Sequence, residues 1–343
     1  MGRPAPGSVR VVSAIVRWGI LSTANIGRAA VIPAIHASSN GLAVAVASRD
    51  RDRADAFAAA NGIARAHGSY EALLEDPDVD ALYIPLPNSM HREWTVRAAR
   101  AGKHVLCEKP LGLDSGECME MASAADEAGV KLMEAFMYRF HPRTERVADM
   151  LRHGVVGPVR TIRSSFTFRL TNPGNIRLSA ELGGGSLMDV GCYCVNVMRT
   201  MMGLEPVEVH ATANWAESGV DEELVGVLRF ADGAMGHFDC SLTTERREFY
   251  EASGTDGTLV VDDAFLPGTG PVEIVEDRGR REGAVHTVSG VDEYRLMVGH
   301  FADCILHDRP VRYPAAEAAR NMAVIEALYA SARAGGVGVK PAF

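Results

Sequence analysis

The 343-residue sequence lacks any apolar run long enough to cross a lipid bilayer. A membrane-spanning helix needs about 20 consecutive apolar residues, whereas stretches such as 41–47 have only the length of a buried strand. The start of the chain also lacks the long apolar core of a secretory leader, because Arg17 directly follows the short apolar stretch 11–16. We therefore expect a cytoplasmic protein with no membrane contact, in which residues 1–14 form a disordered extension.

Positive charge is also scarce relative to negative charge. The chain has 35 Lys and Arg residues against 44 Asp and Glu residues, which gives a formal net charge of −9. A net negative surface repels phosphate backbones, so we exclude nucleic acid as the main partner. Hydrophobic residues make up 47% of the chain, which is enough for an ordinary globular core. At roughly 150 residues per domain, the length predicts two domains.

The sequence lacks the patterns typical of metal sites and disulfide frameworks. Its six cysteines include no CxxC pair, and their spacing differs from that of a zinc knuckle. His36, His67 and His104 have no carboxylate partners at ligand spacing, so we predict no metal site. The cysteines are interpreted as small, reduced apolar residues of a cytosolic protein.

Over residues 15–138, short apolar runs alternate with helical patterns. The predicted strands span 16–21, 42–47, 81–84, 104–107 and 131–135. The predicted helices span 26–37, 53–61, 90–101 and 115–128. Strands that alternate with helices of this length indicate right-handed βαβ units around a parallel sheet. We therefore predict a doubly wound Rossmann domain that binds a dinucleotide over residues 15–138.

From about residue 155 the pattern changes to strand-like runs joined by short turns. These runs span 159–170, 207–215, 223–230, 235–243, 248–253, 258–262 and 271–276. Helical patterns lie near 184–202, 292–307 and 315–333. An Asp232-Gly233 pair between two of the runs is typical of a hairpin turn. The fold class is thus α/β, with a second α+β domain over 139–343 that has a large, mainly antiparallel, open-faced sheet.

A loop of small residues joins the first strand to the first helix. A dinucleotide fold holds pyrophosphate there with backbone N–H groups, usually in a G-x-G-x-x-G pattern. Two of the three pattern positions carry small residues other than glycine, since the pattern falls on Ser22, Ala24 and Gly27. An ordinary tight turn remains the alternative. The candidate cofactor-binding residues of the loop are Ser22, Thr23, Ala24, Asn25 and Ile26.

The end of the second strand bears on the choice between NAD and NADP. An NAD-binding strand usually ends in an acidic residue that accepts from the ribose hydroxyl. Here Ser48 and Arg49 come first, and a hydroxyl with a guanidinium suits a 2′-phosphate. We therefore favour NADP(H), although Asp50 or Asp52 could permit weaker use of NAD and Arg49 could be a solvated loop charge.

Three motifs make a family resemblance visible. They are PLPNSMH at 85–91, CEKP at 107–110 and GGSLMDVGCY at 184–193. With them, the chain resembles the Gfo/Idh/MocA family of oxidoreductases over nearly all of 16–343. The similarity extends to the branch that includes glucose–fructose oxidoreductase, dimeric dihydrodiol dehydrogenase and NADP-dependent D-xylose dehydrogenase. The glycine-poor phosphate loop is the main departure from the family pattern.

The resemblance implies roles for individual residues. Lys109 would hydrogen-bond the reacting oxygen, Tyr193 would donate or accept the proton, and Asp189 would orient the substrate or Lys109. Lys109 would also be expected to favour the phenolate of Tyr193. Without the resemblance, Tyr193 is better interpreted as a buried core aromatic.

Further residues are placed around the ligands by the same resemblance. Pro85, Asn88, His91 and Glu108 would lie beside the cofactor, and Arg139 and Arg177 would lie beside the substrate. The alternatives are an interdomain ion pair for Arg139, a solvated loop charge for Arg177 and a simple helix start for His91. Loops between 139 and 183 and near 245 would shape the substrate pocket.

These observations predict an NADP(H)-dependent enzyme that transfers hydride between nicotinamide and a sugar or polyol. The direction, aldose C1 oxidation or ketosugar reduction, stays open. The alternative is a non-catalytic NADP(H)-sensing protein, although a sensor has no need of both Lys109 and Tyr193. The resemblance also implies a homodimer or homotetramer through the open sheet face, with Val209, Ala211 and Ala213 in the contact.

Overall fold

The computed structural model describes residues 15–343. The predicted extension over 1–14 lies outside the described residues. No helix within 15–343 is long and apolar enough to cross a membrane.

The first domain is built around a parallel sheet of six strands in the order β3-β2-β1-β4-β5-β6. The strands are β1 (Val16–Leu21), β2 (Gly41–Ala47), β3 (Arg65–His67), β4 (Ala81–Ile84), β5 (His104–Cys107) and β6 (Leu132–Glu134). The helices are α1 (Ile32–Ala37), α2 (Arg51–Ala60), α3 (Tyr70–Leu74), α4 (His91–Arg100) and α5 (Ser115–Ala128). A π-helical turn over Gly27–Val31 precedes α1. The predicted Rossmann architecture is confirmed, and ligands of such sheets bind beyond the carboxyl ends of the strands.

The second domain contains a mixed sheet of eight strands in the order β14-β13-β12-β11-β7-β10-β9-β8. The strands are β7 (Val159–Thr167), β8 (Pro206–Trp215), β9 (Asp221–Phe230), β10 (Met235–Ser241), β11 (Arg247–Gly254), β12 (Thr258–Asp262), β13 (Val272–Asp277) and β14 (Ala284–Val288). All neighbouring strands are antiparallel except β7 and β10, which pair in parallel. The helices are α6 (Pro142–Arg152), α7 (Cys192–Met202), α8 (Glu293–Leu306) and α9 (Ala315–Arg333). The predicted mainly antiparallel sheet is confirmed.

Helix α8 crosses back to the first domain. Its Phe301 ring lies 5.7 Å from the ring of Trp18 on β1. The Asn40 side chain also donates to the backbone carbonyl of Gly299 at 2.9 Å. The two domains therefore share α8, which the predicted division between 138 and 139 assigned to the second domain alone.

Within residues 15–343, helices cover one face of the eight-stranded sheet and leave the other face open. Val209 and Ala211 of β8 are 0% and 5% exposed, because they face α9 and Ser331 Oγ accepts from Ala211 N–H. Ala213 also packs against the core. The prediction that these three residues line a subunit contact is therefore wrong. The open face instead presents the alternate side chains, such as Val225 and Met235, each 50% exposed.

Candidate active site

A cavity of about 720 Å³ lies at the carboxyl ends of the parallel strands, between the two domains. The first domain contributes the phosphate loop, the segment after β4 and the segment after β5. The second domain contributes the segments after β7 and β10 and the start of α7. The predicted site residues that line the cavity are Ala24, Asn25, Ile26, Pro85, Asn88, Glu108, Lys109, Arg177, Asp189 and Tyr193.

The phosphate loop has the free backbone donors that a dinucleotide requires. Among residues 15–343, the backbone N–H groups of Asn25 and Ile26 find no acceptor. Ser22 fixes the turn, since its hydroxyl donates to the carbonyl of Pro85 and accepts from Ala24 N–H, both at 3.2 Å. Ser22 has a φ of 145°, a backbone conformation that favours glycine. The loop therefore fits a pyrophosphate, although neither Ser22 nor Thr23 lines the cavity.

The residues after β2 lie beyond the cavity but near the expected position of an adenosine ribose. Ser48 Oγ accepts from the backbone N–H of Asp50 at 3.2 Å. The Asp50 carboxylate in turn caps α2 by accepting from Arg53 N–H at 3.0 Å. Because the Asp50 carboxylate caps α2, it is less available to a ribose hydroxyl, whereas the exposed Arg49 lies beside the hydroxyl of Tyr70.

Lys109 and Asp189 meet across the domain boundary. Lys109 follows β5, and its Nζ donates to the backbone carbonyl of Asp189 at 2.6 Å and to Asp189 Oδ1 at 3.3 Å. Both side chains are 13% exposed. Burial is the largest single influence and opposes the charge of Lys109, but Asp189, Cys192 and Glu108 together outweigh it and raise the pKa of the ammonium. An ammonium has three N–H groups, so Lys109 keeps one for a ligand in the cavity.

Arg177 completes this arrangement from the second domain. Its Nε donates to Asp189 Oδ2 at 2.5 Å. Burial favours the neutral acid, but Lys109 and Arg177 together lower the pKa of Asp189. The carboxylate therefore stays charged and holds both cations at the cavity wall. Arg177 is thus an ion-paired wall residue, which differs from the solvated loop charge kept as its alternative.

Tyr193, the second residue of α7, lies in a cluster of aromatic rings. The rings of Phe136, Phe166 and Phe265 lie 4.9, 5.3 and 5.2 Å from it. Its hydroxyl contacts only the sulfur of Met137, at 3.5 Å, within the described residues. A thioether is a weak acceptor, so the phenol proton remains available.

The expected effect of Lys109 on the acidity of Tyr193 is wrong for this arrangement. Burial raises the pKa of Tyr193 well above its usual range. Lys109 Nζ lies over the face of the Tyr193 ring, 4.9 Å from its centroid, rather than beside the hydroxyl oxygen. Burial therefore favours the neutral phenol of Tyr193.

Glu108 and Asn88 line the side of the cavity nearest the first domain. Tyr83 donates to Glu108 Oε1 at 2.6 Å, and burial raises the pKa of Glu108. Asn88 Nδ2 donates to the carbonyl of Gly183 at 2.8 Å. Asn88 thus joins the segment after β4 to the glycine-rich segment before α7.

Besides Ser22, Thr23, Ser48 and Arg49, two further predicted ligand residues lie outside the cavity. His91 is fully buried, and its ring nitrogens lie 2.9 Å from the carbonyls of Leu86 and Pro110. It braces the two segments that carry Asn88 and Lys109 rather than contacting the cavity.

Arg139 also departs from its predicted place beside the substrate. Its Nη1 donates to Glu317 Oε2 of α9 at 2.5 Å, and its guanidinium stacks 3.5 Å from the centroid of the Tyr313 ring. Arg139 is thus held in an ion pair, as in its alternative, but the partner belongs to the same domain rather than to the other one.

The structure adds cavity residues that the motifs did not single out. They come from the second domain and include Phe166, Phe168, Asn172, Arg246, Leu266 and Tyr294. The predicted pocket loops contain Phe166, Phe168, Asn172 and Arg246. The sequence motifs did not point to Tyr294. This residue lies on α8 and reaches the site only because α8 packs back against the first domain.

Comparison with known proteins identifies the lineage of both domains. Residues 16–136 match the oxidoreductase family with an NAD-binding Rossmann fold, and residues 144–260 match the GFO/IDH/MocA C-terminal domain. The chain is 42% identical to a D-xylose 1-dehydrogenase (NADP(+)) of Haloferax volcanii over 322 residues, which are 93% of this chain and 98% of that protein.

Two solved structures share the whole architecture. An aldose-aldose oxidoreductase from Caulobacter crescentus, complexed with glycerol, has a TM-score of 0.87 at 29% identity and covers 95% of this chain and 99% of its own. A 3-ketoreductase from Actinomadura kijaniata, in complex with NADP and TDP-benzene, has a TM-score of 0.88 at 32% identity and covers 92% of this chain and 98% of its own. The chain therefore belongs to the Gfo/Idh/MocA family of oxidoreductases.

Proposed function

We propose that this protein is an NADP(H)-dependent sugar or polyol oxidoreductase that transfers hydride between nicotinamide and a hydroxyl-bearing carbon. The observation that carries the proposal is the meeting of Lys109, Asp189 and Tyr193 in a cavity beside the phosphate loop. Aldose C1 oxidation is the favoured direction, because the relative with 42% identity is a D-xylose 1-dehydrogenase. Ketosugar reduction would use the same residues in reverse.

Lys109, Tyr193 and Asp189 each have a separate role in the reaction. The bound cofactor supplies the hydride acceptor, NADP⁺, for oxidation. Lys109 donates its remaining N–H to the reacting oxygen and stabilises the negative charge that develops on it. Tyr193 exchanges the hydroxyl proton, and Asp189 positions Lys109 by holding it from the opposite domain.

A substrate screen tests the proposal. Purified protein is mixed with aldoses, polyols, ketosugars and dihydrodiols, with NADP and NAD in parallel, and the nicotinamide absorbance is followed. We expect turnover with a neutral aldose and NADP⁺. Tight NADPH binding without turnover of any compound would contradict the enzyme and favour the sensing protein.

Arg49 provides a test of cofactor preference. We expect Arg49→Ala to raise KM for NADP⁺ about 10- to 100-fold, because charge-assisted hydrogen bonds to a 2′-phosphate are lost. KM for NAD⁺ should stay unchanged. Arg51→Ala is the matched control, since Arg51 pairs with Asp55 at 2.9 Å on α2. If Arg49→Ala changed KM equally for NADP⁺ and NAD⁺, Arg49 would have no part in the preference for NADP.

The open face of the eight-stranded sheet is the proposed subunit contact. Val225, Met235 and Val285 are 50%, 50% and 57% exposed on this face. A partner that covers them removes apolar area from water. We expect sedimentation of a dimer or tetramer at micromolar concentration, and dissociation in Val225→Glu. The control is Met119→Glu on α5, where the side chain is 51% exposed; a monomeric wild type contradicts the proposal.

A further inference from the structure

Arg246 presents a guanidinium to the cavity from the turn between β10 and β11. It shares the cavity wall with Leu266 and with Tyr294 of α8. All three come from elements of the second half of the chain, which faces the phosphate loop across the cavity. This wall is where a substrate would extend beyond the reacting atoms.

A buried carboxylate fixes the position of Arg246. Arg246 Nη2 donates to Glu248 Oε1, and the Glu248 side chain is only 2% exposed. A buried anchor restricts the rotation of the long arginine side chain, so less entropy is lost when a ligand binds. The neighbouring Arg247 points the other way, since it pairs with Asp239 on the open face at 2.6 Å.

Three cationic side chains of the cavity wall are balanced in number by three carboxyl groups in and behind that wall. Lys109 and Arg177 share Asp189, at 3.3 and 2.5 Å, and Arg246 has Glu248. Glu108 adds a further carboxyl group to the lining. With Glu108 and Glu248 ionised, the cavity and the residues that support its wall carry no excess of positive charge among the described residues. A phosphate would find no uncompensated cation there, whereas neutral hydroxyl groups would find directed N–H donors.

We propose that Arg246 is a specificity-determining residue that binds hydroxyl oxygens of a neutral sugar other than the reacting one. Glu248 positions Arg246 and offsets its charge, so that sugar phosphates and nucleotide-linked sugars are disfavoured. A guanidinium has five N–H groups in a planar fork, and those not used by Glu248 can donate to neighbouring hydroxyl groups of one sugar. This inference rests on the proposed function, whose substrate class it narrows.

The first test compares two adjacent arginines in steady-state kinetics with D-glucose or the best neutral aldose of the screen. We expect Arg246→Ala to raise KM for the sugar about 10- to 100-fold, since one or two charge-assisted hydrogen bonds are lost. kcat and KM for NADP⁺ should change little. Arg247→Ala should leave all three constants at wild-type values, because its side chain pairs with Asp239 on the other face of the sheet. An unchanged sugar KM in Arg246→Ala, or an equal rise in Arg247→Ala, overturns the inference.

The second test changes the charge balance but keeps the shape. Glu248→Gln keeps an acceptor for Arg246 but leaves its charge uncompensated. We expect the ratio of kcat/KM for D-glucose 6-phosphate to that for D-glucose to rise at least about tenfold, which corresponds to about 1.4 kcal/mol. A thermal unfolding curve shows whether the variant is folded. A folded variant with an unchanged ratio overturns the role given to Glu248.

A binding measurement separates this inference from the proposed function. If the wild type turns over no sugar, the proposed function fails. Titration of NADPH-loaded wild type, Arg246→Ala and Arg247→Ala with the same two sugars by calorimetry then decides the inference. Weaker D-glucose binding in Arg246→Ala alone supports it. Equal binding by all three proteins, or no D-glucose binding by wild type, overturns it.

Discussion

Replacement of Lys109 by methionine is expected to lower kcat by about 10²- to 10³-fold, the usual effect of removing one donor to a developing oxyanion. The methionine side chain keeps much of the volume of lysine but has no N–H group for the reacting oxygen. Asp189 would remain paired with Arg177, so the buried carboxylate keeps a partner and the variant should fold. Steady-state kinetics with the preferred sugar give kcat, and NADPH fluorescence gives the affinity for the cofactor, which should change little.

Lys131→Met is the control for this experiment. Lys131 is one of the other lysines of the chain, and it pairs with Asp308 at 2.7 Å, where the carboxylate is 93% exposed. A surface pair of this kind contributes little to stability. We expect Lys131→Met to retain wild-type kcat. Retention of most activity by Lys109→Met would remove Lys109 from the reaction.

Tyr193→Phe is expected to lower kcat by about 10²- to 10⁴-fold, the usual contribution of general acid–base catalysis. The aromatic ring and its contacts with Phe136, Phe166 and Phe265 would be preserved. Because the hydroxyl has only the Met137 sulfur as a partner among residues 15–343, its removal should leave Tm near the wild-type value. A large loss of rate with an unchanged Tm assigns the effect to chemistry rather than to folding.

The pH dependence gives a second readout for Tyr193. Burial raises its pKa well above the usual range, so the phenolate is the minor form at neutral and mildly alkaline pH. In the oxidation direction, where Tyr193 accepts the proton, kcat/KM should therefore rise about tenfold per pH unit below that pKa. Tyr193→Phe should lose this rise. The same pH profile in both proteins would assign the proton transfer to another group.

Much of the architecture could be predicted because apolar periodicity determines which segments become buried. The strand over 258–262 and the helix over 115–128 match the structure at both ends. Strand β3 escaped prediction because Arg65–His67 is a short edge strand with only partly buried side chains. This strand forms because its backbone pairs with β2, and the pattern of apolar residues does not indicate that pairing.

The site could be predicted where a motif fixes the place of a residue, most directly at the end of a strand. Lys109 is the second residue after β5, so its place at the cavity follows from the parallel sheet. The sequence also predicted Arg139 to lie beside the substrate. Its side chain instead pairs with Glu317 on α9, 178 residues further along the chain. The place of Arg246 in the cavity wall likewise depends on where the turn before β11 lies in the folded chain. Long-range packing of this kind cannot be deduced from local sequence patterns.

Isotope transfer tests the central claim most directly. The wild-type protein is mixed with NADP⁺ and an aldose that carries deuterium at C1, and the NADPH formed is analysed by mass spectrometry. The account predicts that the deuterium appears in the nicotinamide ring of NADPH and that the sugar loses it. Formation of unlabelled NADPH, or no NADPH with any labelled aldose, would contradict hydride transfer from C1.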